Sequence, residues 1–199
     1  MIMKKKLYLL SGTALLVAIT FMRCVQIKDD APVEELPSAI SQDSLIKRGG
    51  YLVSAAACDD CHSPKLANGF EFDPGKRFSG HPSGQPMAIP DVSALKDGYI
   101  LFGPGLTSAI GPWGMSFSAN ITSDATGIGN WTEDQFFTAI RKGKSKGIAL
   151  NRDLLPPMPW PIYKNFSDDD LRAIFAFLKS TRPVRNIVPG PRTLDELRK

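Results

Sequence analysis

Cys58-Asp59-Asp60-Cys61-His62 is a CxxCH motif, the spacing at which a c-type haem is attached to a polypeptide. Two intervening residues let one helical turn present both sulfurs on the same side of the backbone, where each can add across a haem vinyl group. His62 comes immediately after, so its imidazole can reach beneath the porphyrin and bind iron. A zinc site would require two more Cys or His ligands at suitable spacing. The chain offers only Cys24 and His81 besides the motif. A thioredoxin-like pair would require a βαβ setting, and none is visible. The motif therefore predicts one covalently attached haem c, held by Cys58 and Cys61, with His62 as an axial iron ligand.

Composition fits an exported globular protein with few helices. The chain has 199 residues, of which 43% are hydrophobic, enough for one domain of about 150 residues plus appendages. A core of that size is modest, and a buried haem would supply much of its apolar surface. Sixteen prolines and 17 glycines point to long irregular loops. The net charge of +4 is mild, and the basic residues are dispersed without interleaved aromatics, so nucleic acid is not an expected partner.

Lys4-Lys5-Lys6 precedes an apolar run from Leu7 to Met22. Positive charge before such a run places that end in the cytoplasm and exports the remainder of the chain. A helix from Leu7 to Val25 would be about 28 Å long, close to the thickness of a hydrocarbon core. No A-x-A-like cleavage site lies beyond it. Cys24 after the apolar run resembles a bacterial lipoprotein signal, although Phe21, Met22 and Arg23 are larger than the residues expected before a lipidated cysteine. The reading favours a retained anchor over lipidation at Cys24, and lipidation over cleavage. Residues 1–25 are thus an anchor or signal segment, and 26–42, with Pro32, Pro37 and Glu34-Glu35, a linker.

The domain proper is expected over 43–190, with 191–199 as a C-terminal tail. A helix should start near Asp43 or Ser44, both good caps, and run into the haem motif. Leu45, Ile46, Tyr51, Leu52 and Val53 are expected to supply its apolar face, and Ala55-Ala56-Ala57 keeps bulk low beside the porphyrin. Gly49 and Gly50 weaken a helix by about 1 kcal/mol each, a cost that implies close packing against another element. Residues 63–130 are rich in Gly, Pro, Ser and Asn and predict short strands or turns, around 70–72 for example, with no long helix. A loop of that length wraps something, here the haem. Thr132 and Gln135 fit a capping box ahead of a stripe of Phe136, Phe137 and Ile140. The last helix is capped by Ser167, has Asp168, Asp169 and Asp170 at its positive end, and carries Leu171, Ile174, Phe175 and Leu178 on one face.

An electron-carrying haem needs a second axial ligand, and a methionine thioether stabilises the reduced iron. Outside the N-terminal segment the methionines are Met87, Met115 and Met158. Met158 lies in Leu155-Pro156-Pro157-Met158-Pro159-Trp160, where prolines stiffen the backbone and would hold a weak ligand in place. Met115, in Gly114-Met115-Ser116, and Met87 read as core filler. His81, between Gly80 and Pro82, reads as a loop residue. Trp113, Trp131 and Trp160 are candidates to line the haem, Trp131 equally a helix staple. Arg141, Lys142, Lys144 and Lys146 suit an acidic partner or a propionate, but a run of charge is more often a solvated face.

The order of these segments resembles a class I cytochrome c. More narrowly, Arg48-Gly49-Gly50-Tyr51-Leu52-Val53, Asn120-Ile121-Thr122-Ser123-Asp124, Thr126-Gly127-Ile128-Gly129, Trp131-Thr132, and Met158-Pro159-Trp160 with Leu171–Lys179 are similar to single domains of the cytochrome c subunits of bacterial membrane-bound alcohol and related dehydrogenases. The resemblance covers 43–189. It implies a mainly α, cytochrome c-like fold around one haem, with His62 proximal, Met158 distal, and Gly50 against Phe177 where the terminal helices cross. Those subunits carry several CxxCH motifs and this chain carries one, so the domain type transfers and the subunit identity does not.

The expected function is electron transfer outside the cytoplasm between redox partner proteins, a dehydrogenase or an oxidase, by a membrane-tethered single-haem carrier that is not itself an enzyme. The alternative is a haem enzyme or haem-based sensor whose sixth coordination site is open or labile.

Overall fold

The computed structural model describes residues 41–69, 71–86 and 91–197. The expected anchor and most of the linker, together with Phe70 and Met87, lie outside them. Among the described residues no helix is long and apolar enough to cross a membrane.

Helix α1 (Gln42–Ala55) begins earlier than the sequence suggests. Its cap is Ser41, whose hydroxyl accepts the Ser44 N–H at 3.2 Å. Asp43 falls instead in the first turn, where its carboxylate meets the positive end of the helix. α1 also stops short of the haem motif. Ala57 adopts a left-handed backbone (φ 55°, ψ 33°), which costs a residue with a Cβ about 1–2 kcal/mol. The motif consequently forms its own short helix, α2 (Cys58–His62), at an angle that a continuous helix could not supply.

Among the described residues from 63 to 130 there is no α-helix. Two 3-10 turns (Ser93–Asp97 and Pro104–Leu106) accompany a small antiparallel meander of β1 (Leu101–Phe102), β2 (Ser108–Gly111) and β3 (Gly114–Phe117). Ala109 pairs with Ser116, and Ile110 with Met115. β3 is extended on its far side by Arg192, whose N–H and carbonyl both bond the Met115 main chain, at 3.0 and 2.7 Å. Near 70–72 there is a single bridge, Lys65 to Phe72.

Helix α3 (Glu133–Lys142) carries the full Thr132–Gln135 capping box. The short α4 (Trp160–Tyr163) leads to α5 (Asp168–Ser180), capped by Ser167, and then to α6 (Leu194–Leu197). α1 crosses α5 in the main core, where Leu52, Val53, Phe78, Ile128, Phe136, Leu171, Ile174 and Leu178 are buried together. Glycine makes the crossing possible: a Cβ on Gly49 would overlap the Ala173 carbonyl oxygen and lie 2.7 Å from Phe177 Cβ. The expected Gly50–Phe177 contact is present, with the ring 3.1 Å from a Cβ built on Gly50.

A buried amide network fastens the loop after the sheet. Asn120 accepts from the main chain and hydroxyl of Thr122 and donates to Val184. Asn186 donates to the carbonyls of Ser79 and His81 at 2.7 and 2.8 Å. This pins residues 79–81 and 119–122 side by side, directly behind the motif helix.

Candidate functional site: the CxxCH helix and its two flanks

The imidazole of His62 is held from behind. Its Nδ1 lies 2.7 Å from the carbonyl oxygen of Ala119. A carbonyl only accepts, so Nδ1 carries the proton and Nε2 keeps its lone pair. Burial lowers the His62 pKa and outweighs the Ala119 carbonyl, which acts the other way, so the ring is neutral. A neutral imidazole with its second nitrogen bonded to a carbonyl has the tautomer and fixed orientation of a metal ligand. Ala119 is held in turn by the amide network at Asn120, and the Gly80 N–H bonds the His62 carbonyl at 2.7 Å.

Between the two cysteines, Asp59 points into the protein and is 7% exposed. Arg77 grips it with two bonds, Nε to Oδ1 at 2.8 Å and Nη2 to Oδ2 at 2.6 Å. The Ser63 hydroxyl adds a third at 2.8 Å and itself accepts the Phe78 N–H. The ammonium of Lys65 closes the C-terminal end of α2 on the carbonyls of Asp60 and Ser63, at 2.7 and 3.0 Å, where a cation suits the helix dipole. The motif is thus locked by residues on the loop immediately after it.

Cys58 and Cys61 are half-buried free thiols. Burial, and then the charge of Asp59, pushes the Cys58 thiol up to about 12. Burial and then Asp60 raise that of Cys61, against the opposing pull of Lys65. Reactive CxxC oxidoreductase thiols have the opposite shift, so this pair is not poised for disulfide exchange. Among the described residues no group of three or more His, Cys, Asp or Glu side chains could hold a metal ion.

Met158 is half-buried on an apolar groove of about 340 Å³ with Leu154, Pro156, Trp160 and Ile162 among its lining residues. Tyr163, five residues on, ties this stretch to the motif: its hydroxyl donates to the Ala56 carbonyl at 2.5 Å, a group freed by the end of α1. Burial, with the nearby Cys58 and Cys61 next, pushes the tyrosine up to about 12, so the hydroxyl stays protonated and can donate. Ile148, Leu150 and Ile162 are exposed on the same part of the chain, Leu150 at 98%. A thioether, a neutral imidazole and paired thiols are donor types that fit a covalently bound haem, although Cys58, Cys61 and His62 are not among the residues that line the Met158 groove.

The other candidates fall elsewhere. Met115 is buried with Ile110 and Leu197 beneath the sheet. His81 is a loop residue, but buried: its Nδ1 meets the Thr107 hydroxyl at 2.9 Å and its ring leans on Phe117. Trp131 packs against the main core just before the α3 cap, a staple position. Trp113 covers Gly111 in the β2–β3 turn, and Trp160 lines the Met158 groove. In the basic run, Arg141 pairs with Asp168 and Lys144 with Asp153, which favours the solvated-face reading for those two. Arg77, Ala119 and Tyr163 carry no signal in the linear sequence; each acts through a backbone carbonyl or a single carboxylate.

No family model matches the chain. The gluconate 2-dehydrogenase cytochrome c subunit of Pantoea cypripedii is 36% identical over 147 residues, covering 72% of this chain and 25% of that protein. The fructose dehydrogenase cytochrome subunit of Gluconobacter japonicus is 32% identical over 183 residues, covering 91% and 29%. The cytochrome c subunit of the quinone alcohol dehydrogenase of Gluconobacter oxydans is 32% identical over 146 residues, covering 72% and 23%. The chain spans about a quarter of the length of these curated relatives. In its motif and its order of elements, and by these relatives, the chain resembles a single domain of dehydrogenase cytochrome c subunits.

Proposed function

We propose that the chain is a single-haem electron carrier, working outside the cytoplasm and tethered to the membrane by residues 1–25. Cys58 and Cys61 hold the haem through thioether bonds, and His62 and Met158 are the axial ligands. The iron supplies a one-electron ferric–ferrous couple. The polypeptide fixes both ligands: Ala119 orients the imidazole, and the proline-flanked loop presents the thioether. With both axial positions filled the domain passes electrons and performs no bond chemistry. One CxxCH motif means that donor and acceptor are separate centres, and the relatives favour a dehydrogenase as the redox partner. The observation that carries this reading is the His62 Nδ1–Ala119 bond, because it leaves Nε2 in the state that ligates iron.

Carbon monoxide tests the two filled positions. The ferrous protein is expected to be low-spin and to take up carbon monoxide poorly, and the ferric protein to show a weak far-red methionine-to-iron band. Met158→Ala should abolish the band and admit carbon monoxide, whereas Met115→Ala should do neither. Ready uptake by the unmutated ferrous protein would replace the carrier with an open-site haem protein.

A further inference from the structure

We infer that Ser116 is a positioning residue for Met158, fastening the ligand loop to the small sheet. The inference rests on Met158 as the distal ligand. Ser116 is 8% exposed on β3, and its hydroxyl donates to the carbonyl of Pro156 at 2.6 Å, two residues before Met158. The alternative acceptor, the Ala109 carbonyl, is at 3.4 Å, too far to compete. The indole Nε1–H of Trp113 approaches the Ser116 oxygen at 3.2 Å, occupying a lone pair and directing the hydroxyl proton at Pro156. The Trp113 ring is itself fixed, filling the space that a Cβ on Gly111 would need.

The loop is tied at its two ends, by the Leu154 N–H on the Gly143 carbonyl at 2.6 Å and by the Tyr163 hydroxyl on Ala56, but few bonds hold the stretch between. Pro156, Pro157 and Pro159 have no N–H, and Met158 N–H reaches the Leu155 carbonyl only at 3.4 Å. The platform, by contrast, is firm: β3 is paired to β2 on one side and to Arg192 on the other. A thioether is a neutral, weak ligand, so how long it stays on iron depends on how costly it is to open the loop. Trp113, Ser116 and the Pro156 carbonyl form a relay that raises that cost from a module outside the helical core.

Ser116→Ala removes the donor, Trp113→Phe removes the group that aims it, and Ser116→Thr keeps the hydroxyl. The readouts are the rate of carbon monoxide uptake by the ferrous protein and the denaturant concentration at which the far-red band disappears. With one hydrogen bond lost, loop opening should rise by about fivefold. Ser116→Ala should therefore take up carbon monoxide about fivefold faster and lose the band earlier. Trp113→Phe should shift both in the same direction and Ser116→Thr should match the parent. A purely structural role would lower the unfolding midpoint without changing uptake under native conditions. Parent-like uptake in Ser116→Ala, or in Trp113→Phe if the first variant does not fold, overturns the inference while Met158 remains the ligand. A parent that itself binds carbon monoxide freely overturns the ligand assignment and this inference with it.

Discussion

Gly49 and Ala173 meet backbone to backbone where α1 crosses α5: a Cβ on Gly49 would sit 2.5 Å from the Ala173 carbonyl carbon. No rotamer change relieves a clash with main chain, so the two helices would have to separate. At Gly50 the neighbour is the edge of the Phe177 ring, 3.1 Å from a built Cβ, and a ring can turn.

The two glycines should therefore respond differently to alanine. Alanine gains about 1 kcal/mol of helix propensity at either position, and overpacking costs about 1–3 kcal/mol. At Gly49 the cost wins and unfolding free energy falls; at Gly50 the two nearly cancel. Chemical denaturation of both variants checks this, and equal losses would contradict the crossing geometry.

Local and composition-limited features were legible in the sequence. The CxxCH spacing, the Thr132–Gln135 box, the Ser167 cap and the glycine pair each announce themselves within a few residues. The break at Ala57 is not legible, because three alanines in a row read as continuous helix. Short strands within 63–130 are expected from composition, but their positions are not legible, because strands of two to four residues are too short to show alternation. Contacts to backbone carbonyls, such as Ser116 to Pro156 and His62 to Ala119, leave no trace in residue type at the accepting end.

Arg77 should stabilise the motif helix through Asp59. Arg77→Gln leaves a buried carboxylate oxygen short of its donor, a loss of about 1–3 kcal/mol. The low end is expected, because the Arg77 side chain is half exposed and water can enter. Adding Asp59→Asn should recover part of the loss, since removing both charges costs less than stranding one. A double-mutant cycle on unfolding free energy measures the coupling, and strict additivity would rule the pair out as a lock.

His81 should make stability fall in mild acid. Burial holds its pKa below the ordinary 6.5. The unfolded chain therefore takes up a proton that the folded chain refuses, and folding is penalised as pH drops below about 6.5, by at most about 1.4 kcal/mol per pH unit. His81→Gln cannot titrate, so its unfolding free energy between pH 6.5 and 5 should be flatter than that of the parent. Identical slopes would mean that the ring protonates freely in the fold.

Covalent attachment at Cys58 and Cys61 is the claim on which the rest depends. The direct measurement is acid–acetone extraction of the denatured holoprotein, with absorbance read in both phases. The haem is predicted to stay with the polypeptide, and to be released when both cysteines are changed to serine. Haem recovered in the organic phase from the unmutated chain would contradict covalent attachment.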